Sequence, residues 1–428
     1  KFQYCNQCEY CAFTRRAHPK MPLAAPLAAV FGAACALPSH ALRTSGAHGA
    51  ASRDLQLYGF HDFVAEFNRT YRDGTEQWNM RKDLFQERHK EIMEFNAVPG
   101  RAWTKGVTPF MDYTDAERKR LLGRRGRGPR KASYDAPAEA ASLGGGTHIP
   151  SEFSVERPGA KLLNLIRDQG NCGSCWAEAA TSTLEGQVEA NRTVMAQLEA
   201  IHKKSGGVPE VPTLSSQTVV SCTPNERHCG GRGGCSGATV ELAYDMVKAE
   251  GGLPFASEWP YESGRHGSAP ACKSHLFPRA QIAITGYTTL PANKVSPLKQ
   301  ALVQTGGPIA VSVDATHWFA YSGGIFSDTD VGDGDFTVNH AVTLVAYKEP
   351  GTFHRGYWLI KNSWGTYWGE SGRIRLEMKR AEELHCGWDS NTHEGLACDG
   401  DPDRAWVCGT CGVLYDSTFP TGIHLKGA

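Results

Sequence analysis

The distribution of cysteine constrains this chain of 428 residues more than any other feature. The sequence holds 14 cysteines, and most of them lie in its C-terminal part. Such a number is unusual in the cytosol, where thiols stay reduced, and it indicates a disulfide framework formed in an oxidising compartment. The predicted location is therefore the secretory pathway.

The composition mainly excludes classes of protein. Hydrophobic residues make up 40% of the chain and charged residues 21%, as in ordinary globular proteins. Lys+Arg and Asp+Glu both total 45, so no nucleic-acid partner is indicated. No apolar run reaches the roughly 18–20 residues that cross a bilayer, and no membrane span is predicted.

The N-terminal region resembles a targeting signal. Met21 opens an apolar block that ends in a small-x-small sequence at Ala41. Residues 21–41 are therefore predicted to be a signal peptide, and residues 1–20 are an upstream segment of unknown status. That segment holds three cysteines without a fourth ligand, so no metal site is predicted there.

Three further segments follow. Residues 55–123 carry aromatic residues at helical intervals, which predicts a helical domain. Residues 124–148 are rich in Arg, Gly and Ala, which is typical of an exposed, protease-sensitive linker. Residues 149–428 form the predicted main domain.

Within the main domain, helical patterns come first and strand patterns later, which favours an α+β fold with two lobes. One helix is expected after residue 175, with an apolar face at Trp176, Ala179, Ala180, Leu184 and Val188. Strands are expected at 281–287, 309–313, 341–347, 357–361 and 372–376.

Three short blocks carry the predicted chemistry. The first runs from Gln169 to Trp176 and reads QGNCGSCW; the others are VNHAV around His340 and KNSWG around Asn362. A Cys-x-x-Cys alone is ambiguous between a redox pair and a metal site. The three blocks in this order resemble the papain family of cysteine peptidases, over roughly residues 58–420.

The resemblance implies a papain-like two-lobed fold, with a helical left lobe and a β-barrel-like right lobe. It also implies a catalytic role for each of four residues. Cys175 is the expected nucleophile, activated by a helix N-terminus and by the imidazolium of His340. Asn362 is expected to orient His340, and Gln169 to donate a hydrogen bond to the oxyanion.

The resemblance further implies substrate-binding positions and disulfides. The expected subsite residues are Gly237, Val338, Ala341, Trp364 and Asp416. Asp416 falls at the floor of the S2 pocket, where an acid would admit Arg or Lys at P2; an exposed tail residue is the alternative. The implied disulfides are Cys172–Cys235 and Cys222–Cys272.

The remaining cysteines are harder to assign. The tail quartet of Cys386, Cys398, Cys408 and Cys411 is expected to form two bridges, and a zinc ribbon is the alternative. Cys229 then has no partner. Glu178 occupies a position that is usually aromatic in the family, and it needs either a cationic partner or a rearranged pocket.

The helical segment before the linker is similar to the inhibitory propeptide of the cathepsin L-like branch. Its motif positions are Gln77, Arg81, Phe85, Arg88, Ile92 and Asn96, followed by Gly106, Thr108, Phe110 and Asp112. Such a segment would block the cleft until the linker is cut. Loss of salt bridges at Asp112 is a hypothesis for acid-triggered release. A generic helical N-terminal domain is the alternative.

These inferences predict a monomeric zymogen of a cysteine endopeptidase, either extracellular or delivered to a lysosome or vacuole. It would act on protein or peptide substrates, with its own propeptide as an intramolecular inhibitor, and would need no cofactor. Two alternatives remain: a dipeptide-releasing exopeptidase with an added segment over the cleft, or a non-catalytic binding or storage protein.

Overall fold

A computed structural model describes five stretches of the chain, which are residues 54–123, 148–204, 213–332, 335–395 and 397–427. The predicted upstream segment, the predicted signal peptide and nearly all of the predicted linker lie outside these residues. The boundaries predicted for those segments stay predictions.

The described residues form nine α-helices and thirteen strands. The helices are α1 (Phe60–Glu66), α2 (Glu76–Asn96), α3 (Asp115–Leu121), α4 (Cys175–Ala190), α5 (Arg192–Lys204), α6 (Ser216–Cys222), α7 (Val240–Ala249), α8 (Ser263–His266) and α9 (Val295–Thr305). None of these helices has the length and apolar character needed to span a membrane.

The strands are concentrated in the second half of the chain. They are β1 (Trp103–Lys105), β2 (Glu152–Ser154), β3 (Ile282–Ala283), β4 (Gly286–Thr289), β5 (Ile309–Val313), β6 (Tyr321–Phe326), β7 (His340–Lys348), β8 (Gly356–Lys361), β9 (Arg373–Met378), β10 (Cys386–Asp389), β11 (Ala405–Cys408), β12 (Ser417–Thr421) and β13 (His424–Leu425).

Helices α1 to α3 and strand β1 form the pro-segment, residues 54–123. Aromatic side chains spaced for one helical face pack α1 against α2, with Phe60 edge-on to Trp78 at 4.9 Å between ring centroids. Thr75 caps α2 by accepting a hydrogen bond from the backbone N–H of Trp78. Strand β1 pairs with β6, so the pro-segment extends the edge of the main sheet.

Helix α4 is the axis of the helical half. Its predicted apolar face is buried, but every other residue from Cys175 to Glu189 is buried as well. The helix is covered by α5, α6 and α7 and by strand β7. A helix enclosed on all sides loses the amphipathic pattern that marks a surface helix.

The main sheet contains nine strands in the order β1-β6-β9-β8-β7-β5-β12-β4, with β2 pairing to β7. Four of the five predicted strands match β5, β7, β8 and β9 to within two residues, and residues 281–287 divide into β3 and β4. The pairing runs in an open path, so the barrel-like half is formed by an open sheet among the described strands. Two separate hydrophobic cores, one mainly helical and one mainly of strands, support the two-lobed architecture.

Four disulfides cross-link the described residues. Cys172–Cys235 and Cys222–Cys272 form as the resemblance implies. The other two are Cys229–Cys398 and Cys386–Cys408, while Cys411 is a buried free thiol. The prediction of two bridges within the tail quartet was therefore wrong, and Cys229, which had no obvious partner in the sequence, is paired with Cys398.

The physical reason lies in the hairpin of β10 and β11. Cys386 and Cys408 face each other in its register, so they form one bridge. Cys398 lies in the long connection between the two strands, which reaches the loop of Cys229, 169 residues away in sequence. Because these thiols are oxidised, the zinc-ribbon alternative is excluded. Residues 386–408 are called the strap below.

Close packing of α4 generates a prediction at Gly186. A β-carbon there would lie 2.4 Å from Cγ of Pro308. Gly186→Ala should gain about 1 kcal/mol in helix propensity but lose roughly 1–3 kcal/mol through overpacking, a net loss of stability. The melting temperature in thermal unfolding measures this loss of stability.

Gly59→Ala is the control, because its methyl group would meet only a carboxylate oxygen at 3.7 Å. A melting temperature for Gly186→Ala equal to that of the control would contradict the packing described here.

Candidate active site

Cys175 is the first residue of α4, and it is 1% exposed. Its sulphur therefore lies at the positive end of the helix dipole, which stabilises a thiolate. Ser174 precedes it, and the hydroxyl groups of Ser174 and Tyr261 form a hydrogen bond of 2.6 Å. The disulfide of Cys172 fixes the loop immediately before the helix.

His340 is the first residue of β7, and its side chain is fully buried. Its Nε2 lies 2.7 Å from Oδ1 of Asn362, which follows the last residue of β8. An amide oxygen can only accept, so Nε2 carries the hydrogen in this bond. Nδ1 is then the ring nitrogen that can exchange a proton with a thiol. Since α4 packs against β7, Cys175 and His340 begin two elements in direct contact.

Aromatic rings enclose the His340 imidazole. The ring of Trp364 lies 5.0 Å from it between centroids, and Trp318 approaches edge-on at 6.3 Å. Trp368 packs against both tryptophans. Excluding water in this way strengthens the bond between His340 and Asn362. Trp318 was not identified from the sequence, because it lies outside the three motif blocks.

Gln169 is fully buried, with both ends of its amide engaged. Its Nε2 donates to the carbonyl of Leu121 at 2.8 Å and to that of Cys172 at 2.9 Å, while Oε1 accepts from Ser363 at 2.7 Å. Leu121 belongs to the pro-segment. The predicted oxyanion donor thus already binds a peptide carbonyl, and Ser363 is the residue that orients it.

The end of the pro-segment passes next to the nucleophile. A β-carbon at Gly123 would lie 2.7 Å from the sulphur of Cys175. Gly237 contacts Gly123, since a β-carbon on Gly237 would lie 1.6 Å from the carbonyl oxygen of Gly123. Both glycines have positive φ, +66° and +92°. Glycine is required at this crossing because two backbones touch.

The other predicted subsite residues have different surroundings. Val338 and Ala341 are buried in hydrophobic clusters on either side of His340. Asp416 accepts a hydrogen bond of 2.6 Å from Ser312, and it borders a large groove with Thr239. Asp416 is therefore not an isolated tail residue.

Buried charges lie behind the motif residues. Glu178, one turn into α4, is 2% exposed and accepts from Arg167 at 3.1 Å; Arg167 also donates to Glu185 at 2.6 Å. Glu178 thus has the cationic partner that its position requires. Burial raises the pKa of Glu178, and Arg167 opposes that rise. Burial would lower the pKa of Arg167, but Glu185 and Glu178 raise it above its usual value.

Lys361 completes this charge cluster. Its ammonium group donates to the carbonyls of Leu163 at 2.8 Å and Leu165 at 3.2 Å, and burial lowers its pKa to about 8. Lys361 precedes Asn362, and Arg167 lies two residues before Gln169. The charges therefore tie together the segments that carry the four motif residues.

Comparison with protein families identifies both parts of the chain. Residues 149–395, more than half of the chain, match the papain family cysteine protease profile. Residues 60–117 match the cathepsin propeptide inhibitor domain (I29). The second match coincides with the helices of the pro-segment.

Individual relatives support the same family assignment. The chain is 29% identical to "Cathepsin L" of Sarcophaga peregrina over 348 residues, covering 78% of this chain and 91% of that protein. It is 31% identical to "Cathepsin L-like peptidase" of Aedes aegypti over 315 residues, covering 72% and 79%.

A solved structure of digestive procathepsin L2 proteinase from Tenebrio molitor larval midgut aligns with a TM-score of 0.60 and 25% identity, covering 84% of this chain and 98% of that one. The recombinant stem bromelain precursor aligns with a TM-score of 0.59 and 25% identity, covering 85% and 97%. The chain therefore belongs to the papain family of cysteine proteases and carries a cathepsin-type inhibitory propeptide.

Proposed function

We propose that the protein is the zymogen of a cysteine endopeptidase in which Cys175 and His340 form a thiolate–imidazolium pair. One observation carries the proposal. The buried amide of Gln169 donates to a peptide carbonyl at 2.8 Å, next to the helix N-terminus that holds Cys175. This is the arrangement that attack on a peptide carbonyl requires.

The proposed reaction has two halves. The Cys175 thiolate attacks the scissile carbonyl carbon, and the oxyanion accepts hydrogen bonds from Gln169 and from the backbone N–H of Cys175. His340 gives its proton to the leaving amine, and a thioester remains. His340 then takes a proton from water, the hydroxide attacks the thioester, and the acid product leaves with the thiol restored. Asn362 keeps the imidazole in the orientation that both steps need.

Location and partners are part of the proposal. The four disulfides support passage through the secretory pathway, with the exterior or a lysosome-like vacuole as the destination. The substrates are proteins or peptides, and the protein acts as a monomer. Endopeptidase activity is proposed over dipeptide release because the stretch between Cys222 and Cys235 is too short to hold an added loop that blocks the cleft.

The pro-segment is held by charged contacts that respond differently to acid. Arg81 binds Glu117 with both guanidinium nitrogens, at 2.5 and 2.7 Å, and this hydrogen bonding lowers the pKa of Glu117 to about 2. Asp112 is paired with Arg69, but burial raises the pKa of Asp112 to about 6.

The two carboxylates therefore have opposite signs of pH dependence. Folded Asp112 binds a proton more tightly than the unfolded chain, so its contribution favours the folded pro-segment as the pH falls below about 6. Glu117 contributes stability above its ordinary pKa of 4.5, and that stability is lost as the pH falls toward 2. We propose Glu117, rather than the sequence-based candidate Asp112, as the acid-sensitive contact.

Glu117→Gln tests this contact while keeping a residue that can complete the helix cap of α3. The variant should lose roughly 1–2 kcal/mol of pro-segment stability near neutral pH, on the scale of charge-assisted hydrogen bonds. The difference in unfolding free energy between this variant and wild type should shrink as the pH falls from about 4.5 toward 2. Denaturant unfolding at a series of pH values measures both the loss of stability near neutral pH and its decrease in acid.

Asp83→Asn is the control, because Asp83 is an exposed acid on the pro-segment helix α2. A difference between Glu117→Gln and wild type that does not change with pH would rule out the proposed contact.

Gly123→Ala tests whether contact at the cleft maintains inhibition. The new methyl group would collide with Cys175, so the pro-segment should lift away from the cleft. Cys175 in the uncleaved chain should then be alkylated roughly tenfold faster, which corresponds to about 1.4 kcal/mol of lost contact. Mass spectrometry of the alkylated chain gives the rate.

Gly100→Ala is the control, since Gly100 has φ of +82° but no atom within 4 Å of the added β-carbon. It carries the same backbone penalty without the collision. Equal alkylation rates for the two variants would show that the Gly123 contact does not protect the nucleophile.

Hydrolysis of an internally quenched peptide, blocked at both ends, tests the proposed function itself. The acid-processed protein should cleave it, Cys175→Ala should not, and Gln169→Ala should lower kcat by about 10²–10³ with little change in KM. Cleavage by Cys175→Ala would contradict the mechanism. Activity confined to peptides with a free N-terminus or a free C-terminus would contradict the endopeptidase assignment.

A further inference from the structure

The strap contacts both the strand half and the helical half of the main domain. In the strand half, the carboxylate of Asp389 accepts from the backbone N–H of Val338 at 2.9 Å, two residues before His340. In the helical half, Cys398 is bonded to Cys229, and the next backbone N–H, that of Gly230, donates to Ala397 at 3.1 Å. The strap therefore bridges the strand half and the helical half.

A groove of 1150 Å³ lies between the strap and helix α7. The strap supplies one wall, which includes Trp406, and α7 supplies the facing wall, which includes Glu241 and Asp245. Asp416, the proposed floor of S2, borders the same space. The groove is therefore an extension of the side of the cleft that receives residues preceding the scissile bond.

The pro-segment contacts the main domain two residues away from the lining of this groove. The carbonyl of Gly123 lies against Gly237, and Thr239, two residues further along, lines the groove. The carbonyl of Gly230, which is held by the strap, also faces Gly237. A chain that leaves the nucleophile along this path enters the groove next.

The charges of the groove indicate what it binds. Glu241 and Asp245 are one turn apart on the same face of α7, so this wall of the groove carries two carboxylates; the hydroxyl of Tyr287 donates to Asp245 at 3.4 Å. The arginines that border the groove are engaged elsewhere: Arg227 pairs with Asp401 at 3.5 Å, and Arg404 stacks on Trp388 at 4.4 Å.

Trp406 adds an aromatic surface, since it is 47% exposed and lines the groove. Carboxylates together with an exposed indole ring suit guanidinium and ammonium groups.

We propose that the strap groove binds the part of a peptide substrate that lies beyond P2 and selects basic side chains there. This inference rests on the proposed peptidase function. The strap supplies the outer wall of the site, and α7 supplies its charge.

Two blocked, quenched peptides test the proposal with the processed protein. Both carry Leu at P2, and they differ only in having Arg or Ala at P3 and P4. Wild type should cleave the Arg peptide about three- to tenfold faster in kcat/KM, as two partly exposed charge pairs would give. The variant with Glu241→Gln and Asp245→Asn should lose that preference and cleave the Ala peptide as wild type does.

Glu250→Gln, at the end of α7, is the charge control and should keep the preference. Trp406→Ala should reduce the preference, whereas Phe353→Ala should not, because Phe353 is an exposed aromatic residue that does not line the groove.

Equal cleavage of the two peptides by wild type would overturn the proposal, and so would a preference unchanged by the α7 double variant. Either result leaves the peptidase function standing, since the Ala peptide would still be cleaved. Failure to cleave both peptides, together with an unreactive Cys175, would instead overturn the peptidase function and this inference with it.

Discussion

The structure depends on the packing of α4 against β7. Cys175 and His340 are far apart in sequence, and each begins a buried element. Because α4 is enclosed on all sides, its position relative to β7 is fixed by close packing rather than by one bond. The hydrogen bond from His340 to Asn362 then sets the imidazole within that packed frame.

Two further features keep this arrangement rigid. The buried charges of Arg167, Glu178 and Lys361 join the segments that precede Gln169, follow Cys175 and precede Asn362. Removing one of these side chains would leave an uncompensated charge in the core, which typically lowers the unfolding free energy by about 3–5 kcal/mol. The strap connects the same two halves on the outside, through the disulfide of Cys229 and Cys398.

The motif residues and most main strands could be predicted from the sequence, because local patterns carry them. Gln169, Cys175, His340 and Asn362 lie in short blocks, and β5 has the predicted bounds. The pairing of Cys229 with Cys398 could not be predicted, since Cys229 and the tail quartet together allow many pairings and this pair forms only because a long loop reaches Cys229. Trp318 was missed because its role arises from packing. Whether the strands close on themselves could not be predicted, because strand pairing, not strand content, decides closure.

The most direct measurement is the alkylation rate of Cys175 in the processed protein as a function of pH. A thiolate–imidazolium pair predicts rapid alkylation near about pH 5.5, far below the ordinary thiol pKa of about 8.5. Cys411 is an internal control, because burial raises its pKa well above the usual value and it should stay unmodified. A rate for Cys175 that rises only near about pH 8–9, as for a free thiol, would contradict the account.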